Sequence, residues 1–364
     1  MKRLFASCLL AAHFLAVPVQ AQTPQPDPEI DSATRGAVVR SLGEELRKTY
    51  VFADVADRVS KELSSKERAR AYEGAKTARA FAEMLNADLQ ELGKDRHFRI
   101  TYAPDFVAPA ADDAALTAER LSELKVRAEQ TGYGIRRVSR LPGNIGYLDV
   151  TGFGTPEFVA PAYEAAMQLL AGSDAIIVDL RDNGGGDPQS VVQLASHFFA
   201  AGDARHLNSI YTRPTDTTRE YWTDRSVATR FTGPVFLVTS SRTFSGGEGF
   251  AYELQTQKRA TVIGETTGGG ANPGGTVKLA GGFAAFIPNG RAINPVTGTN
   301  WEHVGVKPDV QVGAQEALAN AYEAALAASM EREANPGRKA AYAGVIERAK
   351  AGDVPLPEWK PRAR

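Results

Sequence analysis

The sequence predicts a mixed α/β fold, in which a small bundle of N-terminal helices precedes a sheet with helical crossovers. From about residue 31 to residue 92 the apolar residues recur at helical spacing. From about residue 97 to residue 264, short apolar strands alternate with helical segments, which is typical of βαβ units around a parallel sheet. Hydrophobic residues make up 43% and charged residues 23% of the 364 residues, which excludes wholesale disorder.

The first 21 residues have the pattern of a secretory signal peptide. Lys2 and Arg3 precede an apolar stretch that runs to residue 19, and Ala21 supplies the small residue expected at a cleavage site. The alternative is an uncleaved membrane anchor, for which the stretch is short and interrupted by His13 and Pro18. We therefore expect an exported protein, periplasmic or secreted, without stable membrane insertion.

Charge and cysteine content exclude several classes of protein. Lys and Arg total 42 against 43 acidic residues, a net charge of −1, so there is no basic excess for binding nucleic acid. The single cysteine, Cys8, lies in the predicted signal peptide, so neither a disulfide framework nor a cysteine-based zinc site is expected.

The segment 29–94 is predicted to form the N-terminal bundle. Three amphipathic faces define its helices, and a role as scaffold alone is the alternative to a functional role. The apolar residues of the three faces are Val38, Val39, Leu42 and Leu46; Val55, Val59 and Leu63; and Phe81, Met84, Leu85, Leu89 and Leu92.

The segment 95–313 is predicted to form the main core, followed by a helical tail over 314–364. The stretch 175–180 is apolar without alternation, as in a strand that is buried on both faces of a sheet. The predicted elements are strands at 98–102, 144–150, 175–180, 235–238 and 260–264, helices at 158–170, 191–199 and 246–257, a loop at 104–115, and glycine-rich hairpins after 276.

Ser245 is the first candidate for chemistry. It follows a buried strand and opens a helix, and Gly246 and Gly247 after it let the backbone approach a bound group closely. A nucleophile on a strand–turn–helix corner has this arrangement. The alternative is that Ser245 only caps the helix, with Glu248 completing a capping box.

Two further segments are unusual for their positions. After the strand that ends near Asp179, residues 184–186 are three glycines, whose backbone N–H groups could form half of an oxyanion hole; the alternative is a tight turn. His97 lies where the helical part meets the first strand, whereas His197 lies in an apolar helix and is expected in the core. Metal-ligand spacing is absent, so no metal or cofactor is predicted.

Together these segments resemble the tail-specific, or C-terminal processing, serine peptidases. The similarity is greatest to the branch of the tricorn protease core and interphotoreceptor retinoid-binding protein, and it implies a crotonase-like ββα spiral core behind the helical bundle. The matching signatures are Asp-x-His at 95–97, Asp-Leu-Arg-x-Asn-x-Gly-Gly at 179–186, Thr-x-Ser-x-x-Glu at 243–248, and Glu-x-x-Gly-Val-x-Pro-Asp at 302–309.

The resemblance implies a role for each site residue. Ser245 would be the nucleophile, His97 the general base, and Glu302 the group that orients His97. The oxyanion would be held by the N–H groups of Gly246 and of Gly185 or its neighbour Gly186. The implied reaction is hydrolysis of peptides or unfolded proteins through an acyl-enzyme. His303, a rival base, is expected to point away, because neighbouring side chains on an extended segment alternate.

The sequence also departs from the family pattern. Many members use a Ser/Lys dyad, but residues 267–272 contain no lysine, which favours the His/Glu arrangement. Arg96 stands where tricorn-type members have a serine. Fewer than 50 residues separate His97 from Ile145, too few for the PDZ domain that captures protein tails, so short or partly degraded peptides are the expected substrates.

The sequence is also compatible with two other functions. A non-catalytic protein binding apolar ligands, such as a retinoid or a fatty acid, could use this scaffold, as could an acyl-CoA enzyme. The presence of Ser245, His97 and Glu302 together favours the peptidase, and export argues against a CoA substrate. The sequence predicts nothing about oligomeric state.

Overall fold

The computed structural model describes residues 27–108 and 117–361. The predicted signal peptide and Cys8 lie outside the described residues. No helix within the described ranges is long and apolar enough to cross a membrane.

The described chain is a mixed α/β structure with N-terminal helices, as the sequence predicts. The helices are α1 (Ser32–Thr49), α2 (Ala53–Arg68), α3 (Ala78–Gly93), α4 (Ala118–Gln130), α5 (Pro156–Leu170), α6 (Pro188–Ser196), α7 (Gly246–Thr256), α8 (Ala314–Arg332) and α9 (Pro336–Lys350). The strands are β1 (Arg99–Tyr102), β2 (Ile135–Leu141), β3 (Ile145–Val150), β4 (Ala175–Asp179), β5 (His206–Thr212), β6 (Thr217–Trp222), β7 (Val235–Thr239), β8 (Thr261–Gly264), β9 (Gly274–Lys278), β10 (Phe283–Pro288), β11 (Gly290–Ile293) and β12 (Val310–Gln311).

The largest sheet has the strand order β12-β8-β7-β4-β3-β2. Strands β3, β4, β7 and β8 run parallel, which confirms the predicted βαβ crossovers, and β2 joins the edge antiparallel. Helices α5, α6 and α7 pack on one face of this sheet, and α8 covers the other. Because both faces are covered, β4 is buried throughout, as its unbroken apolar pattern predicts.

The topology brings the two predicted glycine-containing turns together. Strands β4 and β7 are parallel neighbours, so the turns that follow Asp179 and Thr239 leave the sheet at the same edge. Helices α6 and α7 begin directly after these turns. In open α/β sheets, ligands bind outside the carboxyl ends of the strands.

The N-terminal helices bring His97 to the same place. Capping by the side chains of Asp31 and Thr77 starts α1 and α3, and the three predicted helices are confirmed. Their apolar faces pack against a second sheet, ordered β1-β10-β9, so bundle and sheet share one core. His97 lies between α3 and β1, on the link that joins bundle and sheet.

Several elements were not predicted. Helix α4 and strands β2 and β6 are largely exposed or half-buried and carry many charged or polar residues, so their apolar periodicity is weak. Strand β5 is mostly buried, but polar residues such as Asn208 and Ser209 interrupt its apolar pattern. The single helical tail is in fact two helices: α8 ends at Arg332, and α9 begins at Pro336 with Asn335 as its N-cap. The chain beyond Ala351 is not helical in the described part.

Candidate active site

Ser245 has an unusual backbone conformation, with φ 52° and ψ −121°. Non-glycine residues seldom adopt positive φ, and such a conformation costs about 1–3 kcal/mol, so the surrounding structure must hold it. Part of that support comes from Glu248, whose Oε2 accepts the Ser245 backbone N–H at 2.8 Å. Ser245 is therefore the N-cap residue of α7 and also stands at a strained strand–turn–helix corner.

Glu248 is fully buried beneath this corner and accepts four hydrogen bonds. Besides Ser245, its carboxylate receives the Thr267 hydroxyl at 2.5 Å and the N–H groups of Gly269 and Gly270 at 2.6 and 2.9 Å. Burial raises the pKa of Glu248, and these four donors act in the opposite direction. From the sequence, Glu248 is expected in a capping box and in the Thr-x-Ser-x-x-Glu signature; in the structure it also connects the corner to residues 267–270.

Two backbone N–H groups beside Ser245 have no acceptor in the described part of the chain: those of Gly186 and Gly246. A methyl group built on Gly246 would lie 3.1 Å from the Gly186 nitrogen, so the two donors are neighbours. The Gly185 N–H is already used, because it donates to the Asn183 side chain at 2.8 Å. Of the two glycines predicted as alternatives, Gly186 is thus the one with a free donor.

Glycine is required at this turn for steric reasons. Gly186 has φ 139°, and an added Cβ would lie 1.9 Å from the Phe153 carbonyl oxygen. Gly185 has φ 94°, and its added Cβ would lie 2.7 Å from the Ser245 Cβ. A side chain at either position would push the turn away from Ser245.

His97 is held between acidic and aromatic neighbours. Its backbone N–H donates to Asp95 Oδ1 at 3.0 Å, and its Nδ1 lies 3.6 Å from the same oxygen. The rings of His97 and Phe244, the residue before Ser245, have centroids 4.6 Å apart. Both ring nitrogens are buried without a hydrogen-bond partner in the described chain. They can therefore bond to a substrate, or to a neighbouring side chain after a small rotation of the ring.

Asp95 is a site residue whose role is not predicted from the sequence. It is completely buried, and its Oδ2 accepts the Tyr50 hydroxyl at 3.3 Å and the Asn272 amide at 2.9 Å. Burial and the Asp95 charge raise the pKa of Tyr50, so the phenol remains a donor. The Asp-x-His signature could have indicated this role, because it places Asp95 two residues before His97.

Glu302 completes the surroundings of His97. Its Oε2 accepts the Ala271 N–H, whereas its Oε1 is buried without a hydrogen-bond partner in the described residues. One ligand atom from each of Asp95, His97 and Glu302 falls within 4.8 Å of the others. Burial, together with the charge of Asp95, raises the pKa of Glu302 to about 8.

Of the two other histidines, only His197 lies as predicted. The His303 side chain is 54% exposed and does not line the cavity that contains Ser245, but its Nδ1 lies 3.5 Å from Glu302 Oε1. The expectation that it points away is therefore wrong, because His303 lies in a turn with φ 65° rather than on an extended segment. His197 is buried, with its Nδ1 2.7 Å from the Thr229 carbonyl oxygen.

The cluster of Asp95, His97 and Glu302 could also hold a divalent cation. Sequence spacing did not suggest this, because about 200 residues separate Glu302 from the other two. A metal ion would occupy atoms that a general base needs free for a proton. The two uses of the cluster are therefore mutually exclusive at His97.

A cavity of about 480 Å³ joins the predicted site residues. Ser245, His97, Gly186 and Gly246 all line it, whereas Glu302 lies behind His97 and does not. The arrangement offers a hydroxyl, a buried imidazole and two free N–H donors around one space.

Family models match most of the chain. Residues 144–312 match the model of peptidase family S41, and residues 32–136 match the model of the N-terminal domain of family S41 peptidases in eukaryotic IRBP. The carboxyl-terminal-processing peptidase 2 of Arabidopsis thaliana, a chloroplast protein, is 29% identical over 208 residues. That match covers 53% of this chain and 36% of the relative, so the chain spans about a third of that relative's length.

Solved structures share the fold at low identity. A peptidase from Parabacteroides merdae is 18% identical with a TM-score of 0.53, covering 77% of this chain and 90% of that chain. Mature CPAF in complex with lactacystin is 10% identical with a TM-score of 0.55, covering 88% and 98%. These similarities support the α/β core with N-terminal helices.

Proposed function

Because the chain belongs to peptidase family S41, two of whose models together match about three quarters of it, we propose that it is a serine peptidase with Ser245 as its nucleophile. The observation that carries this proposal is the shared cavity: Ser245, His97, Gly186 and Gly246 all line it, and the N–H groups of the two glycines have no acceptor within the described residues.

In the proposed reaction, His97 takes the proton of the Ser245 hydroxyl while the serine oxygen attacks the substrate carbonyl carbon. The tetrahedral intermediate collapses as the C–N bond breaks, and the leaving amine receives that proton from His97. A water molecule, deprotonated in turn by His97, then hydrolyses the acyl-enzyme and frees Ser245.

The oxyanion of the intermediate would accept hydrogen bonds from the N–H groups of Gly186 and Gly246. Both donors stand on rigid turns, so no reorganisation is needed when charge develops. Loss of one such donor typically costs about 3 kcal/mol of transition-state stabilisation. The occupied Gly185 N–H supports Gly186 as the second donor.

Two carboxyl groups would position His97 and stabilise its charged form. Asp95, fixed by Tyr50 and Asn272, stands beside Nδ1 and favours the imidazolium that forms during attack. Glu302, whose Oε1 makes no hydrogen bond within the described residues and lies 3.5 Å from His303 Nδ1, is proposed as the group that orients the His97 ring after a small rotation. We therefore keep Glu302 in the catalytic set and add Asp95 as a positioning residue.

The signal-peptide pattern of the first 21 residues supports export, to the periplasm or beyond the cell. Peptides or unfolded proteins are the proposed substrates. In the core proposed for 95–313, fewer than 50 residues lie between β1 and β3, too few for a tail-binding domain, which favours short peptides. The division into bundle, core and tail remains a proposal, since bundle and core share apolar packing.

Trapping the acyl-enzyme tests the proposal. Protein lacking the first 21 residues would be mixed with an activated peptide ester, quenched in acid and weighed by mass spectrometry. We expect one acyl group on Ser245 in wild type, none in Ser245→Ala, slow acylation in His97→Ala, and normal acylation in the control Ser241→Ala, an exposed serine of the same turn. Folded wild type without any adduct would contradict the proposal and favour a protein that binds apolar ligands.

A further inference from the structure

The cavity that contains Ser245 continues along α7 to a buried acid, Glu253. Ser245, Gly249 and Glu253 are four residues apart, so they follow one another on one face of the helix, about 6 Å per step. Side chains on a helix lean toward its N-terminus, which directs the Glu253 carboxyl toward Ser245. Gly249 keeps the passage open, since an added Cβ would lie 3.3 Å from the Trp301 ring.

Glu253 is a buried acid whose carboxyl group is only partly satisfied by hydrogen bonds. The residue is 2% exposed, and its Oε2 has no hydrogen-bond partner in the described chain. Burial raises the pKa of Glu253 to about 8, opposed only by a hydrogen bond from Asn208. The Asn208 Oδ1 is also buried without a partner in this part of the chain. Leaving such groups unpaired is costly, so their presence in a cavity indicates a ligand that pairs with them.

The acidic residues of the cavity suit a cationic ligand. Two acids, Asp187 and Glu253, line it, and the described lining contains no lysine or arginine. The lining also includes apolar residues such as Val191, Ile210 and Trp301. Apolar walls with an acid at the far end suit a side chain with a long methylene stem and a cationic head.

We propose, on the premise of the proposed peptidase function, that this cavity receives the substrate side chain on the acyl side of the scissile bond, and that Glu253 makes it select lysine or arginine. The side chain enters past Ser245, its stem packs on the apolar walls, and its cation pairs with Glu253, whose carboxyl group releases its proton to solvent as the ion pair forms. The substrate thus supplies the cation that the described lining lacks.

The first experiment compares peptides that differ only at the residue before the cleaved bond, which is lysine, arginine, norleucine or glutamine. Norleucine has a methylene stem like that of lysine without its charge. We expect wild-type kcat/KM to be about 100-fold higher for lysine or arginine than for norleucine. In Glu253→Gln this ratio falls about ten-fold or more, while norleucine peptides are still cleaved.

Glu164→Gln is the matched control. Glu164 is a partly exposed carboxylate that bonds to Thr229 and does not line the cavity, so its loss should leave the ratio unchanged. Thermal unfolding of each variant checks the fold. If Glu253→Gln does not fold, the wild-type preference decides alone, and preference for norleucine or glutamine over lysine overturns the proposal.

A binding experiment separates this inference from the proposed reaction. Calorimetry on Ser245→Ala would compare product-like peptides that end in lysine or in norleucine. Tight binding of the lysine peptide without hydrolysis by wild type would retain the lysine pocket and refute the peptidase. Equal binding of both peptides, or a lysine preference that persists in folded Glu253→Gln, would refute the pocket while leaving the peptidase standing.

Discussion

Glu248, the last residue of the Thr-x-Ser-x-x-Glu signature, is predicted to hold the Ser245 corner in place. In Glu248→Gln the shape is kept, but one carboxylate oxygen becomes an NH₂ group, which cannot accept hydrogen bonds. Each carboxylate oxygen accepts two donors: Oε1 those of Thr267 and Gly269, and Oε2 those of Ser245 and Gly270. Whichever way the amide turns, two donors lose their acceptor.

The expected cost follows from that count. A hydrogen bond to a charged group contributes about 1.5–3 kcal/mol, so two lost bonds lower the free energy of unfolding by about 3–6 kcal/mol. Domains are typically stable by about 5–15 kcal/mol, so the effect is large. Because the Ser245 corner loses its support, acylation should slow as well.

Urea unfolding followed by circular dichroism measures the change. Glu265→Gln is the control, since that carboxylate is less buried and accepts one N–H on each oxygen, from Ser241 and Ala314. It should lose less than half as much stability. A cost below about 1 kcal/mol for Glu248→Gln, or equal costs for the two variants, would refute the proposed support of the corner.

Three further predictions concern the same site. Ser245→Gly should abolish acylation yet raise the free energy of unfolding in urea by about 1 kcal/mol, because relief of the positive φ outweighs the added chain entropy of glycine. A variant less stable than wild type would contradict the proposed backbone strain. Gly186→Ala should lower kcat about 100-fold or more, because the added methyl group collides with the Phe153 carbonyl and displaces the N–H donor; activity within three-fold of wild type would exclude Gly186. In the folded protein Glu253 and Glu302 have a pKa of about 8, above the ordinary 4.5, so the folded state holds their protons more tightly than the unfolded state. Their contribution to the free energy of unfolding is therefore full below pH 4.5 and is lost as the pH rises to 8. Glu253→Gln should flatten that fall in unfolding free energy, by at most about 1.4 kcal/mol per pH unit, and an unchanged slope would contradict it.

Much of the fold could be predicted because its pattern is local. The faces of α1 to α3 and the unbroken apolar run of β4 are determined by burial, and both lie where the periodicity predicts. Exposed α4 and β6 lack that periodicity. The turns at 184–186 and at Ser245 could be singled out because glycines and a serine follow apolar strands.

Other parts of the site could not be predicted, because they depend on contacts between distant segments. Which glycine N–H is free depends on the Asn183 side chain, which takes that of Gly185. The place of Asp95 beside Nδ1 depends on Tyr50 and Asn272, from the bundle and from the far end of the core. Glu253 gave no signal, since a single acid in a helix is usually exposed.

Labelling with a fluorophosphonate probe tests the central claim most directly, namely that His97 activates Ser245. We expect mapped peptides of wild type to carry the label on Ser245, Ser245→Ala to carry none, and His97→Ala to label at least ten-fold more slowly while unfolding at the same temperature. A label on another serine, or an unchanged rate in His97→Ala, would contradict the claim.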